Sequence, residues 1–408
     1  MGTISLRRLL IVLLVISQYN YGIATLVLSC LLILFILLID RDTPILMSTE
    51  CKIVSAIFFI GFFSGLIGIV LKTGSNVSYF LRDGYYFIQP VLIIFLGNLL
   101  VFRPSFRLVN FLIIVLQAIT IVSLVNIVKI PFLIDSMAEF NFYAREYHSF
   151  SNSYSVVGLA ILYYYSKKLF FKKRTIIFYA LVLLSSLAVS FSRTEYLIAL
   201  LIPITSYLSR LKLSGAALVS FFSIAGVVLV FGANVDMDVA ASGSSTFFDK
   251  VMRSVPELGI ADVGDIKAAS FSWRGYEAFL GLQKYLDGNL WQMIFGGGFS
   301  TLVNVPGWVF SDDFMTNIPF FHNGYVTILL KSGVFGLGLF LYFLFRISKH
   351  KLCFDDREAN LRLFLVFALA VSTLLTHGIY YKRAPFIMLF LVGILFKPQK
   401  MNITNQQS

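Results

Sequence analysis

Five cations and one imidazole occupy positions where chemistry at a membrane surface could use them. His322 stands at the head of the stretch FFHNGYVTILLKSGVFGLGLF (320–340), where the longest polar segment runs without a break into an apolar helix. Arg82 (LRDGYY), Arg193 (FSRTEYL), Arg274 (SWRGYE) and Arg383 (YYKRAP) lie at or beside the ends of apolar runs, and Lys331 follows His322 two turns along the helix. Guanidinium groups stay charged and bind phosphate oxygens in pairs, so a ring of them suits an anionic substrate held where lipid meets water. An imidazole, with an unperturbed pKa of about 6.5, can accept a proton from an attacking hydroxyl at neutral pH. Each residue also has a plain structural use. The cations can snorkel to headgroups or pair with a neighbour such as Asp83 or Glu195, and His322 can cap or anchor its helix.

The remaining motifs are weaker. His377 lies near the end of a span, while His148 and His350 read as surface residues. Asp236-Met237-Asp238 has the DxD spelling of metal-dependent sugar transferases but falls in a segment assigned to the outer side, where nucleotide sugars are absent. Asp312-Asp313 reads as a solvated acidic pair. Gly296-Gly297-Gly298 has neither the lysine nor the strand-to-helix setting of a phosphate cradle and is expected to be a turn. No histidine and carboxylate cluster has metal-ligand spacing, and Cys30, Cys51 and Cys353 are spaced for neither zinc nor a disulfide framework.

The elements that must position these residues are membrane helices. Of 408 residues 58% are hydrophobic and only 13% charged, with mean hydropathy +0.83, which excludes an ordinary soluble domain. Apolar runs near the ~20 residues needed to cross hydrocarbon recur from end to end. Residues 6–39 divide at Gln18-Tyr19-Asn20-Tyr21-Gly22 into two spans, the first retained because no small-residue cleavage site follows Arg7-Arg8. Further spans are expected at 53–71, 85–102, 108–128, 153–166, 175–191, 196–209, 213–233, 323–346, 361–381 and 384–396. The expected fold is therefore all-α, a polytopic bundle of about twelve spans with one large, partly helical external loop. Its divisions are spans over 1–233, a loop over 234–322, and spans with a tail over 323–408.

Charge sets the orientation. With both termini cytoplasmic, the inner segments hold 20 of the 33 lysines and arginines and the short outer segments 7, so the long loop faces outward. The charge of +12 thus fixes topology and calls for no nucleic-acid partner. Within the loop, Trp273, Tyr276, Phe279, Leu280 and Leu286 form a helical stripe over 270–286 that Asp287-Gly288-Asn289 ends.

Three segments taken together, SFSRTEYLIALLIPI, WRGYEAFLGLQKYL with GGGFS, and HNGYVTILLKSGVFGLGL, resemble the superfamily of O-antigen ligases and O-antigen or exopolysaccharide (Wzy-type) polymerases. The resemblance covers residues 190–340 and elsewhere rests on hydropathy alone. It implies a GT-C type membrane fold and a glycan donor linked through pyrophosphate to undecaprenol. Transfer would take place at the outer face of the cytoplasmic membrane, with no metal, nucleotide or other cofactor. It gives His322 the role of catalytic base and Arg193 and Arg274 that of pyrophosphate ligands. Arg82 and Arg383 match by location only, and Lys331 is a departure. The expected activity is polymerisation of lipid-linked repeat units, with a ligase that moves finished polymer to lipid A-core as the near alternative. A flippase is the alternative of another class, set aside because the sequence shows neither an internal repeat nor a broken helix. By analogy with the pathway, partners would be a flippase and a chain-length regulator.

Overall fold

The computed structural model describes residues 23–39, 46–71, 76–101, 108–129, 132, 154–190, 192–210, 273–305, 317–349, 356–380 and 385–396. Its helices are α1 (Ile23–Ile39), α2 (Thr49–Val70), α3 (Val77–Val101), α4 (Leu108–Lys129), α5 (Tyr154–Tyr165), α6 (Lys173–Ser190), α7 (Arg193–Arg210), α8 (Trp273–Leu286), α9 (Leu290–Phe295), α10 (Gly324–Lys349), α11 (Asp356–Leu375) and α12 (Phe386–Leu395). Among the described residues six helices (α2, α3, α4, α6, α10 and α11) are long and apolar enough to cross a membrane. The chain is an all-α, multi-pass membrane protein. The spans expected at 213–233 and before residue 23, and most of the long loop, lie outside the described residues.

The helices form because a chain in hydrocarbon must satisfy its backbone internally, and polar side chains then tie the bundle together. Ser48 caps α2, accepting the Cys51 N–H, while its own N–H donates to Asn98 Oδ1 near the end of α3 (3.1 Å). Three contacts align the bundle. Arg346 near the end of α10 pairs with Glu50 at the start of α2 (3.3 Å), and Arg362 at the start of α11 donates to Leu395 O at the end of α12 (2.7 Å). Tyr164, ending α5, donates to Ile202 O late in α7 (2.9 Å) and packs on Phe364 of α11. The starts of α3, α5, α7, α10 and α12 and the ends of α2 and α11 therefore collect at the opposite pole, where the candidate residues lie.

Two differences from the sequence reading shape that pole. Helix α3 begins at Val77, not near residue 85, so Arg82 and Asp83 lie inside a helix rather than before one. In α8 the packed positions are Gly275, Tyr276, Glu277, Ala278 and Gly281, while Leu286 is exposed. Tyr276 of the expected stripe is buried and Trp273 and Leu280 pack beside it, but small residues share the contact: a Cβ at Gly281 would meet Val326 Cγ1 at 2.6 Å.

Helix α8, a two-residue antiparallel ladder (Val303–Asn304 with Asn317–Ile318) and the first turns of α10 share a small core of Tyr276, Val303, Val305, Ile318, Phe321, Val326 and Leu330. This unit covers the head of α10 at that pole. Part of the segment assigned wholly to an external loop instead enters the bundle. Asn289 caps α9 in a reciprocal pair with Gln292, after which 296–300 runs between α2 and α10. Phe299 donates its N–H to Gly61 O (2.9 Å) and is buried among Phe58, Phe62, Phe80 and Phe87. Gly298, at φ +79, lies so close to the Ser64 and Gly65 backbone that no side chain fits. The glycines expected to make a turn do so, with positive φ at Gly296 and Gly298, and they also let that turn sit against the backbone of neighbouring helices.

Helix α10 is broken at Gly333 (φ 67, ψ −173), about 13 Å from its start at 1.5 Å per residue. The break is sealed by the entering segment. The Leu330 carbonyl accepts the Gly297 N–H (2.9 Å), and the Tyr285 hydroxyl binds the Val334 backbone while donating to Met293 O (2.7 Å). Freed backbone groups in a membrane helix must find such partners. A broken helix is one of the two features whose absence spoke against a transporter, and that ground no longer holds.

Candidate functional site

Two polar groups meet at that pole, joined by Phe320. The first is built around Glu277, a buried carboxylate on α8. Its Oε2 lies 2.8 Å from His322 Nδ1 and accepts the His322 main-chain N–H (3.0 Å), while its Oε1 accepts the Trp273 indole N–H. Facing three donors, Glu277 acts as an acceptor only, as a carboxylate does. The His322 tautomer that fits carries its proton on Nδ1, which leaves Nε2 as the basic nitrogen. Glu277 is 1% exposed and His322 35%, so the ring is fixed on the buried side and open on the other. The His377 ring lies beside it, centroids 4.6 Å apart at 45°, because Gly324 at the head of α10 donates its N–H to Thr376 O (3.0 Å) and packs against the 376–378 turn. Arg274, half-buried, precedes Glu277 by three residues on α8, one helical turn away.

The second group lies on α3 and α10. Lys331 Nζ donates to Asp83 Oδ2 (2.6 Å) and to Thr301 O (2.5 Å), and the same Oδ2 accepts the Ser300 N–H (2.9 Å). Both side chains of this ion pair are 0% exposed. Arg82 Nη2 approaches Asp83 Oδ1 at 3.6 Å, and its guanidinium lies 4.4 Å from the Tyr79 ring centroid. Among the described residues Arg82 Nε and Nη2, Asp83 Oδ1 and Ser300 Oγ have no hydrogen-bond partner. The Phe320 ring stands 5.8 Å from the Arg82 carbon and 5.5 Å from the Lys331 nitrogen, two residues before His322.

Arg82, Arg274 and His322 are thus gathered around one face. Arg193 begins α7 at the same pole, half-buried, on a helix that packs along α11 and α5. Arg383 lies outside the described residues, as do His148, His350, Asp236 to Asp238 and Asp312-Asp313. Lys331 departs from both of its expected uses. It does not snorkel outward, and its charge is met by Asp83 rather than offered to a pyrophosphate. A lysine at this depth is costly, and a specific carboxylate is what makes it tolerable.

Sequence reasoning missed Glu277 and underrated Asp83. Glu277 carries one available signal: it is the only acid in α8 and lies on the packed face of that helix. Asp83 was seen only as a neighbour for Arg82. Among the described residues no group of three or more His, Cys, Asp or Glu side chains could hold a metal ion. Comparison with protein-family models, curated proteins and solved structures gives no match.

Proposed function

We propose that this protein is a glycosyltransferase of the cytoplasmic membrane that polymerises oligosaccharide repeat units carried on undecaprenyl pyrophosphate, at the membrane's outer face. The observation that carries the reading is the His322–Glu277 pair, an imidazole oriented by a buried carboxylate and partly exposed on its other side, two residues from the Phe320 ring that the Arg82 guanidinium approaches. In the proposed reaction an acceptor sugar hydroxyl attacks the anomeric carbon of the donor. The new C–O bond forms as the bond from that carbon to the phosphate oxygen breaks. The hydroxyl proton passes to His322 Nε2, and undecaprenyl pyrophosphate leaves as the anion.

Glu277 stabilises the imidazolium that results, the part a carboxylate partner plays for a general base. Arg82 and Arg274 face the leaving pyrophosphate, and Arg193 and Arg383 complete the cationic rim in this proposal. Their donors stabilise the charge that develops as the lipid departs. The fold would be of the GT-C type with about twelve spans and both termini cytoplasmic, and the pathway's flippase and chain-length regulator would be its partners.

The test is reconstitution of the full chain in lipid nanodiscs with an undecaprenyl-pyrophosphate-linked repeat. Lengthening of the glycan that His322→Ala abolishes supports the proposal, and no lengthening by the wild type refutes it. A ligase would run the same donor chemistry, and gene deletion separates the two. Surface glycan reduced to single repeats marks a polymerase, whereas full-length polymer stranded on its carrier marks a ligase. The break at Gly333 beside a buried ion pair favours a second reading, a lipid-linked glycan transporter, because broken helices line transport sites. Against it, the protein's own backbone fills this break. Movement of the lipid between leaflets without lengthening would decide for transport.

A further inference from the structure

We propose that Asp83 and Lys331 act together as positioning residues, clamping the chain at Ser300-Thr301 so that Arg82 and the His322–Glu277 pair face one another across Phe320. The inference rests on the functional reading of the same face given above.

Two charges buried at this depth are not explained by stability. Replacing a buried ion pair by apolar side chains of similar volume is often neutral or favourable, so stability does not by itself account for the pair. Here each partner holds backbone as well as its opposite charge. Asp83 Oδ2 takes the Ser300 N–H and Lys331 Nζ binds the Thr301 carbonyl. The clamped residues join the buried Phe299 to the first strand of the ladder at Val303.

Two consequences reach the site. Val303 pairs with Ile318, which sets the register of the strand leading to Phe320 and His322. Arg82 neighbours Asp83 on α3, and Phe320 stands within 6 Å of both the Arg82 guanidinium and the Lys331 ammonium. The Arg82 side is held more loosely: Arg82 Nη2 stands 3.6 Å from Asp83 Oδ1, and among the described residues neither atom nor Arg82 Nε has a hydrogen-bond partner. Arg82 is therefore the group left to act, and Asp83 and Lys331 the pair that aims it.

The test uses the full chain in nanodiscs, with amide hydrogen exchange and binding of inorganic pyrophosphate as readouts. The variant Asp83→Leu/Lys331→Met removes both charges and leaves neither orphaned. The expected result is wild-type accumulation, with the amides of Ser300 to Val303 and of His322 exchanging at least about tenfold faster. Arg82→Ala should weaken pyrophosphate binding in the wild-type background and have no further effect in this one. Unchanged exchange, or an undiminished effect of Arg82→Ala in the double variant, overturns the proposal. Should the double variant fail to accumulate, Asp83→Asn decides: faster exchange over the same amides supports the clamp and unchanged exchange rejects it. A wild type that binds no pyrophosphate removes the functional reading, while the exchange data still decide the clamp.

Discussion

Glu277→Gln is the sharpest single perturbation of the site, because glutamine keeps the shape of the side chain and changes only what it can accept. The carboxylate receives the His322 main-chain N–H and ring Nδ1–H on one oxygen and the Trp273 N–H on the other. An amide cannot serve all three. With its oxygen toward His322, its NH2 confronts the indole N–H. With its oxygen toward Trp273, its NH2 confronts the His322 backbone, and the ring must move its proton to Nε2, where a base is needed. Either orientation loses a hydrogen bond to a charged group, worth about 1.5–3 kcal/mol. If that orientation is expressed in the transition state, kcat/KM for glycan lengthening falls about ten- to 150-fold. The assay is initial-rate polymerisation in nanodiscs, paired with 15N spectra of labelled histidine that report which ring nitrogen carries the proton. Wild-type rates in Glu277→Gln, with the His322 proton still on Nδ1, would refute the argument.

Three further predictions concern the architecture. Lys331→Met alone leaves buried Asp83 with only the more distant Arg82, at 3.6 Å, as a cation and should destabilise the protein by up to about 3 kcal/mol, read as a lower midpoint in thermal unfolding in detergent. Phe299→Ala empties a pocket between α2, α3 and the entering segment and should cost about 3–5 kcal/mol, with protease sensitivity rising first at 296–301. Tyr285→Phe removes the hydroxyl that joins Met293 O to the broken end of α10 and should cost about 1–2 kcal/mol, seen as faster amide exchange at Val334.

The sequence alone determined that this is a helical membrane protein and roughly where most described helices lie, because hydrocarbon demands long apolar runs whose backbone is satisfied within the segment. It also marked Arg82, Arg274 and His322, since charged and titratable groups stand out against an apolar background. It could not supply their partners. Glu277 meets His322 across 45 positions and Asp83 meets Lys331 across 248, and helical periodicity tells which face a residue occupies but not which distant helix covers it. Local composition said least about where GGGFS goes. A glycine-rich stretch reads as a turn, and Gly296 and Gly298 take positive φ, but nothing local tells that the turn lies between α2 and α10, where glycines at 65, 296, 298 and 333 let backbones approach. That recess, and the burial of Lys331 beside it, exist only once helices remote in the chain have packed.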